Sequence, residues 1–178
     1  MRKFPVVTDL PADMLQAIGR VIVEYAFLEL QLSRIIYDLI RVDPKAGRVA
    51  VREPRATDRL EIILDLIDLK QFTLTDDEKK LLRKTTKTCL TQRDQLAHGA
   101  WVRDPNNGTL LLRLTKGQWQ PIKGQRGKTK RVVKPEGISV STADITAAGD
   151  VINLLSQRLV ELRGALHAAP RSSRRKHA

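Results

Sequence analysis

Gln92-Arg93-Asp94-Gln95-Leu96-Ala97-His98-Gly99-Ala100-Trp101 is where this chain changes character. Upstream, Leu81, Leu82, Thr85, Cys89, Gln92 and Leu96 recur at helical spacing. Downstream, Trp101-Val102-Arg103 and Leu110-Leu111-Leu112-Arg113-Leu114 flank the turn Pro105-Asn106-Asn107-Gly108, which is the pattern of a β-hairpin. Gly99 stands where a helix-stopping C′ glycine is expected, so His98 belongs to the last helical turn. Arg93 is a permanent cation suited to clamping phosphate. A histidine with an intrinsic pKa of about 6.5 can move protons at neutral pH. Together they are two of the groups that metal-free phosphodiester cleavage needs. The alternative is a helix that merely ends in polar residues, and the residue types alone do not separate the two.

The remaining pattern is helical on both sides of the hairpin. A first helix is expected over residues 12–41. Its polar residues Gln16, Arg20, Glu24, Gln31, Arg34, Asp38 and Arg41 form one hydrophilic stripe on an otherwise apolar cylinder. Leu15, Ile18, Ile22, Leu32, Ile36 and Leu39 fill one side, and Val21, Leu28 and Ile35 extend it, so the helix has to be covered on two sides. A second subunit is the natural cover for one of them. Glu29 interrupts the apolar surface and calls for a partner, with Arg93 the favoured one; otherwise it reaches water at the edge of the interface.

Residues 42–55 read as a connection punctuated by Asp43-Pro44, Gly47 and Glu53-Pro54. A second helix follows over residues 57–70. A third starts at the capping box Thr75-Asp76-Asp77-Glu78, whose acids suit the positive end of the helix dipole. A short third strand is expected at residues 138–140. Ser141-Thr142-Ala143-Asp144 opens a fourth helix, which runs to about residue 166. The fold expected is therefore mainly α: a four-helix up-down bundle with a β-hairpin and a basic loop, residues 101–140, inserted between helices 3 and 4. Residues 1–169 are expected to make one domain, and residues 170–178 a disordered basic tail.

Charge is distributed unevenly. Residues 1–100 carry 17 Lys/Arg against 15 Asp/Glu, whereas residues 101–178 carry 15 against 5. Between residues 116 and 134 lie Lys116, Lys123, Arg126, Lys128, Lys130, Arg131 and Lys134, with no acid among them. Such a run attracts nucleic acid through counterion release, RNA being the expected partner; a solvated loop that aids solubility is the other reading. The single cysteine, Cys89, excludes an internal disulfide and a thiolate zinc site within one chain. No His/Cys metal spacing, glycine-rich phosphate loop or serine nucleophile motif is present, so neither a metal nor a cofactor is expected. No apolar run reaches membrane-spanning length, and the first residues do not form a secretory signal, so the expected compartment is the cytoplasm. His167 and His177 are expected to be exposed and without function, and Trp101 and Trp119 to pack in strands.

A long first helix, a middle helix and a third helix ending in Arg93-Asp94-Gln95-Leu96-Ala97-His98 resemble the HEPN superfamily, whose Arg-x4–6-His motif marks metal-independent ribonucleases. The resemblance spans residues 12–101 and the last helix. It implies a homodimer in which two motifs face each other in one composite cleft. It also implies a role for Arg93 and His98 as the active pair, for Asp94 as the polar neighbour of the arginine, and, loosely, for Glu29. Toxin–antitoxin or phage-defence settings, with an antitoxin-like protein partner, come with that family. The alternative is a non-catalytic nucleic-acid-binding or partner-regulating dimer of the same fold.

Overall fold

The computed structural model describes residues 5–52, 54–113, 118–121, 129–132 and 137–168, with the backbone alone in 118–121 and 129–132. The protein is mainly helical. In chain order it has α1 (Ala12–Ile40), α2 (Pro44–Val51), α3 (Ala56–Leu69), α4 (Asp76–His98), β1 (Ala100–Arg103), β2 (Leu110–Arg113), β3 (Gln118–Pro121), β4 (Thr129–Val132), β5 (Ile138–Ser139) and α5 (Thr142–Ala168). Among the described residues no helix is long and apolar enough to cross a membrane.

Two helix starts follow from local chemistry. At α4 the Thr75 backbone N–H donates to the Glu78 carboxylate at 2.9 Å, and the Glu78 N–H donates to the Thr75 hydroxyl at 3.3 Å. At α5 the Ser141 N–H donates to Asp144 at 2.8 Å and the Asp144 N–H returns to the Ser141 hydroxyl at 3.1 Å. Each box satisfies donors that a helix start leaves open.

The expected connection at residues 42–55 instead contains α2. Asp43 Oδ1 accepts from the N–H groups of Lys45 and Ala46 at 2.9 and 3.1 Å, and Pro44 sits in the first turn. Asp-Pro is thus an N-cap followed by a proline whose missing donor costs nothing there. Gly47 of α2 lies under the Tyr37 ring, where a Cβ would come within 2.3 Å of it.

The chain divides into two compact units, residues 1–25 with 88–151, and residues 26–87 with 152–178. The first unit contains the sheet. β1 and β2 pair antiparallel with Trp101 opposite Leu112, and β5 joins the far side of β2 through Leu112 and Ile138. Asp104 and Gly108 close the turn: the Gly108 N–H donates to the Asp104 carbonyl at 2.8 Å, and Gly108 takes a φ of 72°, a conformation that favours glycine. Residues 5–7 extend along β1, with the Val7 N–H donating to the Trp101 carbonyl at 2.8 Å and Val6 bridging Val102. That edge pairing has no counterpart in the sequence reading. Met14, Val21, Tyr25, Cys89, Trp101, Val102, Leu112 and Ile145 are buried here.

The second unit is helical. Leu28, Leu32, Ile35, Ile36, Leu60, Ile63, Leu64, Ile67, Ile152 and Leu159 are almost wholly buried in it. Ion pairs join its helices: Glu29 with Arg59, Glu61 with Arg83, Glu78 with Arg158, and Asp38 with Arg163. The Arg83–Glu61 pair is bidentate, with N–O separations of 2.7 to 3.1 Å. Gln31, read as part of the solvent stripe of the first helix, is buried. At 100° per residue it lies about 40° from Ile35 and about 60° from Leu28, on the margin of the buried face.

β3 and β4 form a separate antiparallel pair with Trp119 opposite Arg131 and Gln120 opposite Lys130. The region expected as a basic loop is therefore in part a two-stranded ribbon. Residues 114–117, 122–128 and 133–136 fall outside the described residues, as does the tail at 169–178.

Candidate active site at the end of α4

α4 delivers the Arg93–His98 motif in its last two turns and stops at His98. Gly99 follows, its N–H donating to the Gln95 carbonyl at 2.9 Å. Among the described glycines only Gly108 has a positive φ, so Gly99 is not the left-handed C′ residue that the sequence suggests. Its requirement is space. A Cβ at position 99 would lie 2.4 Å from Leu112 Cδ1 and 2.5 Å from the Gln95 carbonyl oxygen. The glycine lets the helix end approach β2 and turn into β1 within one residue.

Arg93 Nη1 donates to Asp94 Oδ1 at 2.7 Å, and its Cζ lies 5.1 Å from the centroid of the Tyr25 ring. The two charged side chains are 32% and 40% exposed, so the guanidinium is held in place and still reachable by an anion. Asp94 follows Arg93 in sequence and is also its hydrogen-bond partner. His98 is exposed at the helix end. Five residues separate Arg93 from His98, which on one helix means about 7.5 Å of rise and about 140° of rotation. One copy thus spreads its two groups apart along the helix, whereas Asp94 and His98, four apart, share a face.

Glu29 belongs to the second unit, and the cation paired with it is Arg59, where the sequence suggested Arg93. Arg59 Nη1 lies 3.9 Å from the Glu29 carboxylate and donates to the Glu29 carbonyl at 3.2 Å. Of the basic residues, Lys130 and Arg131 stand on β4, with backbone positions alone described. Lys116, Lys123, Arg126, Lys128 and Lys134 lie outside the described residues.

Two features escaped the sequence reading. Tyr25, unremarked in the sequence, is almost wholly buried and lies under Arg93. His167, expected to be merely exposed, lies 3.1 Å from Asp38 Oδ2, which also accepts from Arg163. The apolar face of α1 is also not the one expected to be inward throughout. Val21, Leu28 and Ile35 are fully buried, whereas Leu15, Ile22, Val23, Phe27 and Leu30 are exposed, Val23 to 69%. By helical geometry these five lie within an arc of about 140° that also holds Gly19 and Ala26 and, toward one edge, the exposed Gln16 and Arg34 of the polar stripe.

Among the described residues no cluster of three or more His, Cys, Asp or Glu side chains could hold a metal ion. The second unit has a groove of about 400 Å³ bordered by Phe72, Leu74, Leu81 and Leu162, with the Glu78–Arg158 pair at its edge. It is apolar and contains none of the motif residues. No known protein family, curated protein or solved structure matches this chain.

Proposed function

We propose that the protein is a metal-independent endoribonuclease of HEPN type, acting in the cytoplasm as a homodimer with a composite cleft. In this reading the long helices form an up-down bundle, and the sheet and the β3–β4 ribbon are the insertion before α5. The observation that carries the proposal is the arrangement at the end of α4: a half-exposed Arg93 held by Asp94 and Tyr25, on the same helix end as an exposed His98. The exposed apolar arc of α1 supports dimerisation. At 100° per residue Tyr25 lies about 60° beyond its nearer edge at Ile22, so a second copy laid over the arc would sit one helix face away from the ring that carries Arg93.

The chemistry is an in-line displacement at phosphorus. The RNA 2′-hydroxyl attacks, the 2′-oxygen–phosphorus bond forms, and the bond from phosphorus to the 5′-oxygen breaks. One His98 accepts the 2′-hydroxyl proton and the other donates a proton to the departing 5′-oxygen. Arg93 from each copy stabilises the charge that builds on the phosphoryl oxygens. The products are a 2′,3′-cyclic phosphate and a 5′-hydroxyl. The nucleophile belongs to the substrate, so no protein nucleophile is required.

The test is incubation of the pure protein with total RNA, with and without EDTA, beside His98→Ala and Arg93→Ala. Cleavage that ignores EDTA and vanishes in both variants is expected. Activity that requires added metal, or survives both substitutions, refutes the assignment.

The backbone ribbon bearing Lys130 and Arg131 favours a second reading, a nucleic-acid-binding dimer without catalysis. RNA binding that persists in His98→Ala, with no cleavage by the native protein, selects it. An antitoxin-like partner over the cleft is compatible with either reading.

A further inference from the structure

We infer that Tyr25 is a positioning residue for Arg93, its ring fixing the plane of the guanidinium so that the N–H groups not used by Asp94 are held ready for a phosphate oxygen. The inference rests on the reading of Arg93 as the phosphate clamp. Tyr25 is 2% exposed, a rigid wall compared with a surface side chain. Arg93 Cζ stands 5.1 Å from its ring centroid, inside the distance at which a cation is drawn to an aromatic face.

The second hold on Arg93 comes from a direction of its own. Asp94 is the next residue on the helix, about 100° round from Arg93, and its carboxylate accepts from Arg93 Nη1 at 2.7 Å. Asp94 takes one N–H group, and among the described residues it is the only hydrogen-bond acceptor of Arg93. A guanidinium has five N–H donors, so most remain for a ligand.

An arginine that searches many rotamers loses that freedom when it clamps a phosphate. One already pinned against a ring and a carboxylate has lost it beforehand, which favours binding and correct orientation. A leucine at position 25 would keep the site apolar while leaving part of the ring's volume empty. Only an aromatic ring supplies the electron-rich face.

The experiment uses the full chain carrying 15N-labelled arginine. The Nε–Hε signal of Arg93 is followed in the native protein, Tyr25→Phe and Tyr25→Leu during titration with a short 2′-O-methyl oligoribonucleotide, which binds but cannot be cut. Native protein and Tyr25→Phe are expected to show the signal displaced by the ring and the same affinity. Tyr25→Leu is expected to lose the displacement and to bind roughly three- to thirty-fold more weakly. If Tyr25→Leu does not fold, Tyr25→Met, apolar and more adaptable, replaces it. An Arg93 signal indifferent to residue 25, or equal loss of affinity in the Phe and Leu variants, overturns the inference. Native protein that shows the expected shifts yet leaves ordinary RNA uncut refutes the ribonuclease reading and leaves the role of Tyr25 standing.

Discussion

His167 Nε2 lies 3.1 Å from Asp38 Oδ2, so the last turns of α5 are fastened to α1 through one carboxylate that Arg163 also holds. Burial alone would raise the Asp38 pKa, but the hydrogen bond from Arg163, followed by that from His167, outweighs it and leaves the group below its ordinary value of 3.8. A carboxyl with a depressed folded-state pKa adds stability above its unfolded pKa and loses it as the pH falls through the folded one. Asp38→Asn should therefore melt below the native protein at pH 6. The gap should narrow as the pH is lowered below about 3.8. Melting curves of both proteins from pH 6 to about 2 check this, since the other carboxylates are common to both. A gap that stays constant would assign the loss to packing.

Cys89 is fully buried, and desolvation pushes its thiol pKa up to about 11. The thiolate is the reactive form, so the native protein should resist thiol reagents at pH 8 and react with one equivalent when denatured. Rapid labelling under native conditions would show that α4 opens locally around that position.

Gly99→Ala would place a methyl group against Leu112 and the Gln95 carbonyl. Overpacking of this kind costs roughly 1–3 kcal/mol, so a clear fall in melting temperature is expected. Relief of the clash moves the helix end, so RNA cleavage should fall further than the loss of folded protein explains. Melting and single-turnover cleavage on the same sample separate the two effects.

Exposed apolar positions on α1 should cost little in folding when made polar. If a second copy covers the arc, Leu15→Gln combined with Val23→Glu should convert a species of twice the monomer mass into a monomer. Cleavage should disappear with it. Light scattering at micromolar concentration decides, and a native protein that is already monomeric removes the composite cleft.

Neutral replacement of Lys123, Arg126, Lys128 and Lys130 should weaken RNA binding broadly across sequences, because cations that pair with phosphates do not read bases. The salt dependence should become shallower, by up to about 0.7 in log–log slope for each single-strand phosphate that is no longer neutralised. The rate at saturating RNA should change little, since Arg93 and His98 lie outside this segment. An unchanged affinity and slope would leave the segment as a solubility feature.

What could be read from the sequence was local. Thr75 with Glu78 and Ser141 with Asp144 announce helix starts because the donor, the acceptor and their spacing lie within four residues. The hairpin between residues 100 and 113 announces itself through Gly108 and its flanking apolar runs. Asp43-Pro44 was equally local, but it is as compatible with a turn as with the start of α2. Glu29 shows the limit of periodicity: spacing along α1 tells that a carboxylate needs a cation, and only folding brings Arg59 to it. Tyr25 was hidden for a related reason. A buried tyrosine in an apolar stripe looks the same whether it fills space or carries a guanidinium. Gly99 was found at the right position for a different reason, because a sequence shows that a side chain is missing and not what would have struck it.

β2 and β5 lie side by side in one sheet, Leu112 opposite Ile138, although 24 intervening residues separate the end of β2 from the start of β5. The stretch between them leaves and re-enters the fold at neighbouring points. Its length is therefore nearly decoupled from the register of the sheet and from the helix end that bears His98. Closing a longer loop between fixed neighbours costs only slowly growing entropy. As far as folding is concerned, the segment should tolerate trimming, lengthening or exchange for a foreign hairpin, while a single residue added between His98 and Ala100 would disturb both helix and sheet at once.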